Sequence, residues 1–343
     1  MPTKRIRLSN YRSISPALRA RYLKLAATDA RTREAEQKVA ARKLAALSTA
    51  YRKKAVDAIG AEAFREYLAL KKELESAPRA KRLRTTQKFL DAIGFDRMRL
   101  RQLRREYVAA ARLLLPDIRA DLDGVFEMAP PDGSPWVEHR APFNGVFDWT
   151  SHTKQGDVNA PSFTTAANPA TGVLRSRIRA RVRDAGDDDQ LTAEHEAGFT
   201  TWHTALEDGR IEGFVVFEFR QRGIHRGEIS DEWGFSNAVR SQSAVARLRV
   251  YANSGPVETL DSLIFAETEP HWGDQDWWNH ATGNPRDLHW FYFSTTRTYP
   301  HGTPLVLEAG IHNLAWFQVD DMSIDMTNDL DLRLEKIMLR SCP

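Results

Sequence analysis

The densest group of side chains able to bind a ligand lies between residues 267 and 290. Tryptophan rings stack on the apolar C–H face of a sugar ring, while neighbouring carboxylates and amides accept hydrogen bonds from hydroxyl groups. Both kinds of group occur in this stretch, whose Gly, Asp and Asn content is typical of a loop. The stretch therefore predicts a site for a glycan or another surface ligand. Its candidate members are Trp272, Trp277, Trp278, Trp290, Asp274, Asp276 and His280.

Two other interpretations of this stretch stay open. Its imidazoles, from His271, His280 and His289, could join nearby carboxylates around zinc and support metal-assisted hydrolysis. The spacing matches neither His-Glu-x-x-His nor a His-x-His ligand pair, however. Alternatively, the rings pack into the end of a β domain or into a subunit interface. We therefore expect no cofactor, with zinc as the alternative.

A second acidic stretch runs from Asp320 to Asp331. Its carboxylates could bind calcium through oxygen ligands, with Asp320 and Asp325 as candidates. The stretch lacks the glycine and the glutamate that an EF-hand loop requires. A loop without bound calcium is therefore the expected structure.

The chain changes character near residue 120. Residues 1–120 hold 30 Lys and Arg against 12 Asp and Glu, a net charge of +18, whereas residues 121–343 carry a net charge of −15. All nine tryptophans follow Pro135. This contrast predicts two domains, a basic one at 1–118 and an acidic one at 136–343, joined by a linker at 119–135.

The basic domain has the composition of helices. Apolar residues recur at three-four spacing, as in Leu18, Tyr22 and Leu25, and form a narrow stripe on a charged background. Such a stripe is typical of a coiled coil or helical bundle and predicts a homo-oligomer. Breaks at glycine and proline predict a long helix from Pro16, then helices near 61–76, 79–93 and 96–115.

The last of these helices carries a cluster of arginines. They could contact a polyanion, because guanidinium groups bind phosphates and the net charge attracts any anionic surface. Nucleic acid, an anionic membrane surface and the chain's own acidic half are all candidate partners. Around these residues the sequence weakly resembles a helix-turn-helix. The arginines are Arg97, Arg99, Arg101, Arg104 and Arg105.

The acidic domain alternates polar and apolar residues in short runs. The clearest runs are Leu174–Val182, Gly213–Arg220, Ala244–Tyr251, Leu288–Ser294, Pro304–Leu307 and Leu332–Leu339. Such runs, separated by turn residues and not by helices, predict an antiparallel β-sandwich of the jelly-roll kind. The fold class predicted for the whole chain is therefore two-domain α+β.

These features favour a non-enzymatic binding or assembly protein over an enzyme. The alternatives are a membrane-acting, pore-forming toxin and the metal-assisted hydrolase described above. No segment approaches the ~18 apolar residues of a membrane-spanning helix. The basic N-terminus lacks the apolar run of a Sec signal peptide, and the single cysteine, Cys342, cannot form an intrachain disulfide. We expect a cytoplasmic protein, or one released without a Sec signal.

Overall fold

Helices form the N-terminal part of the chain, as the sequence predicts. The computed structural model describes residues 3–8, 16–74, 79–94, 97–112, 136–182, 189–231, 237–272, 276–320 and 322–342. Gly60 and Gly94 follow two of the helices with φ angles of 94° and 63°, a left-handed conformation that glycine adopts without steric cost. The helices are α1 (Pro16–Ile59), α2 (Ala61–Leu74), α3 (Arg79–Ala92) and α4 (Arg97–Arg112).

The strands contain all six of the predicted runs, apart from Arg220, which follows the end of its strand. One short strand, β1 (Thr3–Leu8), precedes the helices, and the others follow them. They are β2 (Val137–His139), β3 (Gly145–Gln155), β4 (Ser162–Asn168), β5 (Val173–Val182), β6 (Asp189–Thr204), β7 (Gly209–Phe219), β8 (Gly223–Asp231), β9 (Asn237–Ala252), β10 (Glu258–Trp272), β11 (Asp276–Thr282), β12 (Leu288–Tyr299), β13 (Pro304–Asp320) and β14 (Met322–Cys342).

These strands form two antiparallel sheets, which confirms the α+β class and the β-sandwich. Sheet A has the order β1-β3-β6-β13-β9-β10, and sheet B has the order β11-β8-β14-β5-β4. β14 is central to sheet B because its first half pairs with β8 and β5, and its second half pairs with β7 and β2. β12 pairs with β7 and extends the sheet beside β11.

The interior of the sandwich holds two apolar clusters with a level of polar residues between them. In β13, for example, Ile311 belongs to one cluster and Ala315 to the other, and the buried Asn313 lies between them. The same order recurs in β5, β6, β9 and β14, and in β8 His225 lies on the same level with Ile229 of the second cluster beyond it. We call the buried residues at this level the polar belt, which consists of Ser176, His195, His225, Gln242, Asn313 and Asn328.

Most polar atoms of the belt form hydrogen bonds with one another, with neighbouring side chains or with the backbone. The Asn313 amide donates to the Ser176 hydroxyl at 2.7 Å, and His195 Nδ1 lies 3.0 Å from the same hydroxyl. The Asn328 amide donates to the carbonyl of Leu314 at 3.1 Å. Buried polar groups are costly when they lack such partners. Among the belt side chains, Asn313 Oδ1 and His225 Nε2 have no partner in the described part of the chain, and the other polar atoms do.

Helix α1 packs on the outer face of sheet A. The ring of Tyr22 meets those of Tyr251 and Trp202 edge-on, with centroids 5.2 and 6.0 Å apart. Farther along, Leu44 packs against Trp316, which is fully buried. The stripe that we expected to face another helix therefore contacts the chain's own sheet over part of its length. Farther along, Tyr51 also packs against Tyr107 of α4, with ring centroids 5.1 Å apart.

Ion pairs accompany this apolar contact. We call Arg33, Glu196, Arg247 and Arg249 the α1 ion cluster. Arg249 donates to both carboxylate oxygens of Glu196, and Arg33 of α1 donates to one of them at 2.6 Å. Burial raises the pKa of Glu196, but the facing guanidinium groups of Arg249, Arg33 and Arg247 outweigh this effect and hold the pKa well below its ordinary value.

The α1 ion cluster shows which of the predicted partners of the basic half contacts α1. Of the three candidates, the chain's own acidic half receives α1, because Arg33 pairs with Glu196 and Tyr22 donates to Glu308 at 2.5 Å.

Three expectations about local structure are wrong. Residues 3–8, assigned to the helical domain, form an edge strand paired with β3. The alternation of Arg5, Ile6, Arg7 and Leu8 is a strand signal, but the run is short. The stretch 267–290 is largely strand, in β10, β11 and β12, and the acidic stretch 320–331 is largely the first half of β14. In both cases long-range pairing overrides the local abundance of turn-forming residues.

Candidate functional site

Strand β11 divides the predicted ligand site between two faces of sheet B. Successive side chains of a strand point to opposite faces. Trp277 is therefore on the outer face, where 72% of its surface is exposed, and Trp278 is on the inner face with 5% exposed. Asn279 shares the outer face with Trp277, and His280 shares the inner face with Trp278.

A groove with a volume of about 470 Å³ runs across the outer face beside Trp277. It crosses β11, β8, β14 and β5, so its walls come from four segments that are distant in sequence. We call it the Trp277 groove. It is lined by Arg177, Arg179, Arg226, Gly227, Glu228, Trp277, Trp278, Asn279, Asp325 and Thr327.

The groove contains both fixed and available polar groups. Asp325 accepts two hydrogen bonds from Arg179, at 3.0 and 2.5 Å, which fixes both side chains. Arg226 and Asn279 are exposed and directly opposite each other on neighbouring strands, and neither side chain has a hydrogen bond or ion pair with another described residue. An exposed ring beside available donors and acceptors can hold a flat, hydroxyl-bearing ligand.

Trp278 anchors the strand from beneath. Its indole N–H donates to the Gln242 carbonyl oxygen at 2.6 Å, and the guanidinium of Arg240 lies 3.8 Å from its ring centre. A Cβ atom at Gly227 would lie 2.2 Å from the Trp278 ring, so only glycine leaves room for the indole. Trp278 is thus a core residue, and its proposed role as a stacking partner is wrong, because its ring faces the interior.

The remaining predicted ligand residues do not converge on Trp277. His280 lies at the edge between the sheets, with Nε2 3.4 Å from Glu267. Trp290 lies on β12, which pairs with β7, and β7 in turn pairs with the second half of β14. The side chains of Trp272, Asp274 and Asp276 lie outside the described part of the chain.

The metal candidates do not gather either. Among the described residues, no group of three or more His, Cys, Asp or Glu side chains is placed to hold a metal ion. Asp325 is occupied by Arg179, and His289 is largely buried on the inner face, where burial lowers its pKa to about 4. The side chains of His271 and Asp320 are outside the described residues.

Sequence reasoning missed the burial of a set of histidines. Burial lowers the pKa of each of them to about 4, so they are neutral at physiological pH. Their burial, which no local pattern reveals, separates them from exposed histidines. The low-pKa histidines are His195, His203, His225 and His289.

A larger cavity, of about 730 Å³, opens between β3 and β4. It contains polar groups from Asp148, Thr150 and Thr165. Its described aromatic residues offer no open ring face, because Phe147 is buried and Phe163 is half-buried between His152 and His195. The Trp277 groove is therefore the better candidate for stacking on a sugar.

The arginines of α4 are separate from this site. Arg99 and Arg105 are exposed on the helix. The side chains of Arg97, Arg101 and Arg104 lie outside the described residues.

No described helix is both long enough and apolar enough to cross a membrane.

Comparison with known proteins identifies no family. No protein-family model matches this chain, and no curated protein matches it. Among solved structures, TmCBM61 in complex with beta-1,4-galactotriose is 11% identical, covers 50% of this chain and 86% of its own, and has a TM-score of 0.12. A structure described as "CBM4 structure and function" is 12% identical, with coverages of 52% and 86% and a TM-score of 0.12.

A third solved structure is a cycloisomaltooligosaccharide glucanotransferase from Paenibacillus sp. complexed with cycloisomaltoheptaose. It is 14% identical, covers 49% of this chain and 18% of its own, and has a TM-score of 0.13. At such TM-scores these likenesses carry no weight for fold or ligand. The function has to be inferred from the chain's own residues.

Proposed function

We propose that this chain is a glycan-binding protein and that the Trp277 groove is its binding site. The observation that carries the proposal is the 72% exposure of the Trp277 indole beside a groove of polar side chains. An indole left in water loses hydrophobic stabilisation. A sugar ring stacked on it restores that stabilisation while its hydroxyl groups remain hydrogen-bonded.

The polar residues of the groove fit this ligand. Arg226 and Asn279 supply donors, and Asn279 also supplies an acceptor. Asn279 lies two residues from Trp277 on the same face of β11, and Arg226 lies opposite Asn279 on β8. The Arg179–Asp325 pair adds a rigid donor and acceptor surface. Since Asp325 is engaged by Arg179, it is poorly suited to act as a catalytic acid, and this supports binding without catalysis.

The adjacent tryptophans provide a matched test. Wild type, Trp277→Ala and Trp278→Ala are compared by isothermal titration against soluble β-1,4-glucan, xylan, β-1,4-galactan and dextran, and by thermal unfolding. We expect Trp277→Ala to lose at least about tenfold in affinity with its melting temperature unchanged, because the ring is exposed. Trp278→Ala is expected to unfold at lower temperature, because the ring is buried.

A third variant separates the contribution of the aromatic face to affinity from that of side-chain volume. Trp277→Phe keeps an aromatic face and should retain part of the affinity that Trp277→Ala loses. Full affinity in Trp277→Ala, or no binding of any of these polysaccharides by wild type, would overturn the proposed function.

Polyanion contact through α4 and self-association remain separate proposals. Exposed Arg99 and Arg105 support the first, since α1 directs Arg33 to the sandwich but α4 leaves these two on the surface. Light scattering across a salt series, with and without duplex DNA, tests both. A complex with DNA that dissociates at high salt would support phosphate contact. A salt-resistant multimer of the chain alone would support self-association.

A further inference from the structure

The outer face of sheet B carries a second aromatic surface, which we call the aromatic platform: Trp136, Phe214, Trp290 and Tyr292. Phe214 lies at its centre, with ring centroids 5.8 Å from Trp136, 6.0 Å from Trp290 and 5.3 Å from Tyr292. Trp290 and Tyr292 remain 45% and 36% exposed. The rings therefore present open apolar surface that nothing in the described chain covers.

The platform is rigid and has polar groups at its edge. Tyr292 donates to Glu212, and Arg340 donates to the same carboxylate at 2.8 Å while lying 4.9 Å from the ring centre of Trp136. Rings held in this way lose little conformational entropy when a ligand stacks on them. Glu212 and Arg340 are themselves buried, so their role is to hold the rings in place.

The platform and the Trp277 groove share one face of the sheet. Ile324 and Ile337, from the two halves of β14, both belong to the interior. A β-bulge between Leu334 and Lys336 supplies the extra residue that keeps both halves facing the same way. Asp325 in the first half and Met338 in the second therefore lie on the outer face.

The two exposed tryptophans also lie on the same side of β14. Trp277 is opposite Glu228 of β8, which in turn is opposite Asp325 of β14. Trp290 is opposite Val216 of β7, which in turn is opposite Lys336 of β14. Their separation along the sheet is the length of the Asp325–Lys336 segment, about 35 Å for extended strand.

Polar pairs fill the space between the two tryptophans. They are Arg175 with Asp329, Arg220 with Asp331 and Arg333 with Glu218. The charged groups along this part of the outer face can hydrogen-bond a hydroxyl-rich chain.

We propose that the aromatic platform is a second binding site for the glycan chain held by the Trp277 groove. The ligand class is then an extended polysaccharide, long enough to span about 35 Å. This inference rests on the proposed function, since the first site must bind glycan for the second to extend it. Two linked sites raise affinity without any new contact at the first.

Chain length is the variable that tests the second site. We would measure the affinity of wild type, Trp290→Ala, Trp290→Phe and Leu288→Ala for the best-bound polysaccharide of the panel and for its trisaccharide. Leu288 is the matched control because it is 59% exposed on the same face of β12 but offers no ring. Melting temperatures show that each variant is folded.

We expect Trp290→Ala to weaken polysaccharide binding about tenfold or more and to leave trisaccharide binding at the Trp277 groove unchanged. Trp290→Phe should recover part of the loss, and Leu288→Ala should match wild type on both ligands. Wild type should bind the polysaccharide more tightly, per chain, than the trisaccharide.

The possible failures are distinguishable. If Trp277→Ala abolishes binding but Trp290→Ala binds polysaccharide like wild type, the second site is refuted and the proposed function stands. The platform would then be covered by another part of the chain or by a second copy. If wild type binds no polysaccharide, both proposals fall.

Discussion

Glu196 should be the ionisable residue on which the docking of α1 depends most. It is 1% exposed, and its carboxylate meets Arg249 and Arg33 at 2.6 Å and Arg247 at 3.4 Å. Glu196→Gln keeps the shape but removes the charge that these three guanidinium groups share. Breaking a buried ion pair by removing one partner typically costs about 3–5 kcal/mol.

The partners that remain place the cost near the lower end of this range. Arg247 keeps its paired hydrogen bonds to Asp261, at 2.7 and 2.6 Å. Arg33 keeps Asp29 at 3.1 Å. Arg249, 1% exposed, keeps Glu308 at 3.5 Å and is the residue left least compensated. We therefore expect a loss of about 3 kcal/mol in the free energy of unfolding.

Urea unfolding at pH 7, followed by circular dichroism and by tryptophan fluorescence, measures this loss. Glu34→Gln is the control, because Glu34 is on the same helix and, among the described residues, pairs only with the exposed Lys38. It should cost about 0.3–0.5 kcal/mol. A Glu196→Gln variant as stable as Glu34→Gln would refute the idea that the α1 ion cluster holds the helix on sheet A.

Unfolding at low pH tests whether the charged form of Glu196 stabilises the fold. The pKa of Glu196 is held below its ordinary value, so its contribution is complete above the unfolded pKa and is lost as the pH falls through the folded pKa. The difference between wild type and Glu196→Gln should therefore shrink at low pH. A difference that grows in acid would contradict the assigned charge state.

Three further predictions concern the histidines, β8 and the helices. The low-pKa histidines have a pKa of about 4 in the folded chain, against an ordinary value of 6.5. Their contribution to the free energy of unfolding is therefore complete above pH 6.5 and is lost toward pH 4. An equal melting temperature at pH 7 and pH 5 would contradict this. Gly227→Ala places a methyl group against the Trp278 ring and should destabilise the chain by about 1–3 kcal/mol in urea unfolding, whereas an unchanged midpoint would show that the indole can move. Deleting residues 1–112 uncovers the buried rings of Tyr251 and Trp316 and should cause aggregation on gel filtration; a monodisperse, cooperatively melting fragment would show that sheet A does not need its helices.

The helices and strands were predictable where the signal is local. Gly60 and Gly94 mark helix ends because few other residues adopt a positive φ without strain. The alternation in Leu174–Val182 predicts β5 because a strand with one buried face requires a period of two. The surface that α1 contacts was not predictable in this way. Its apolar stripe fits another helix or a sheet equally well, and only the aromatic residues of distant strands decide between them.

The site was predictable in composition but not in geometry. The sequence identifies Trp277, yet it groups Trp278 and His280 with it, because neighbours in a loop can converge whereas neighbours in a strand diverge. Pairing with β8, about fifty residues earlier in the chain, makes this segment a strand. The same pairing brings Arg226 to the groove, and a local pattern cannot supply such a contact.

The polar belt has a consequence for how the strands find their alignment. Sliding a strand by one residue exchanges its two faces, and the apolar pattern alone forbids this. A slide of two residues preserves the alternation and would meet little resistance in a uniformly apolar interior. Here such a slide would carry Asn313 or Asn328 into an apolar cluster without partners, at about 1–3 kcal/mol for each orphaned group.

The polar belt therefore favours one register of the strands over registers shifted by two residues. The belt has six polar residues at one level, each in a different strand. They fix the position of each of these strands along its own axis relative to its neighbours. The Trp277 groove draws its walls from four strands, and a displacement of any one by two residues would dismantle it. The hydrogen bonds hidden inside the sandwich thus determine which side chains meet on its outer surface.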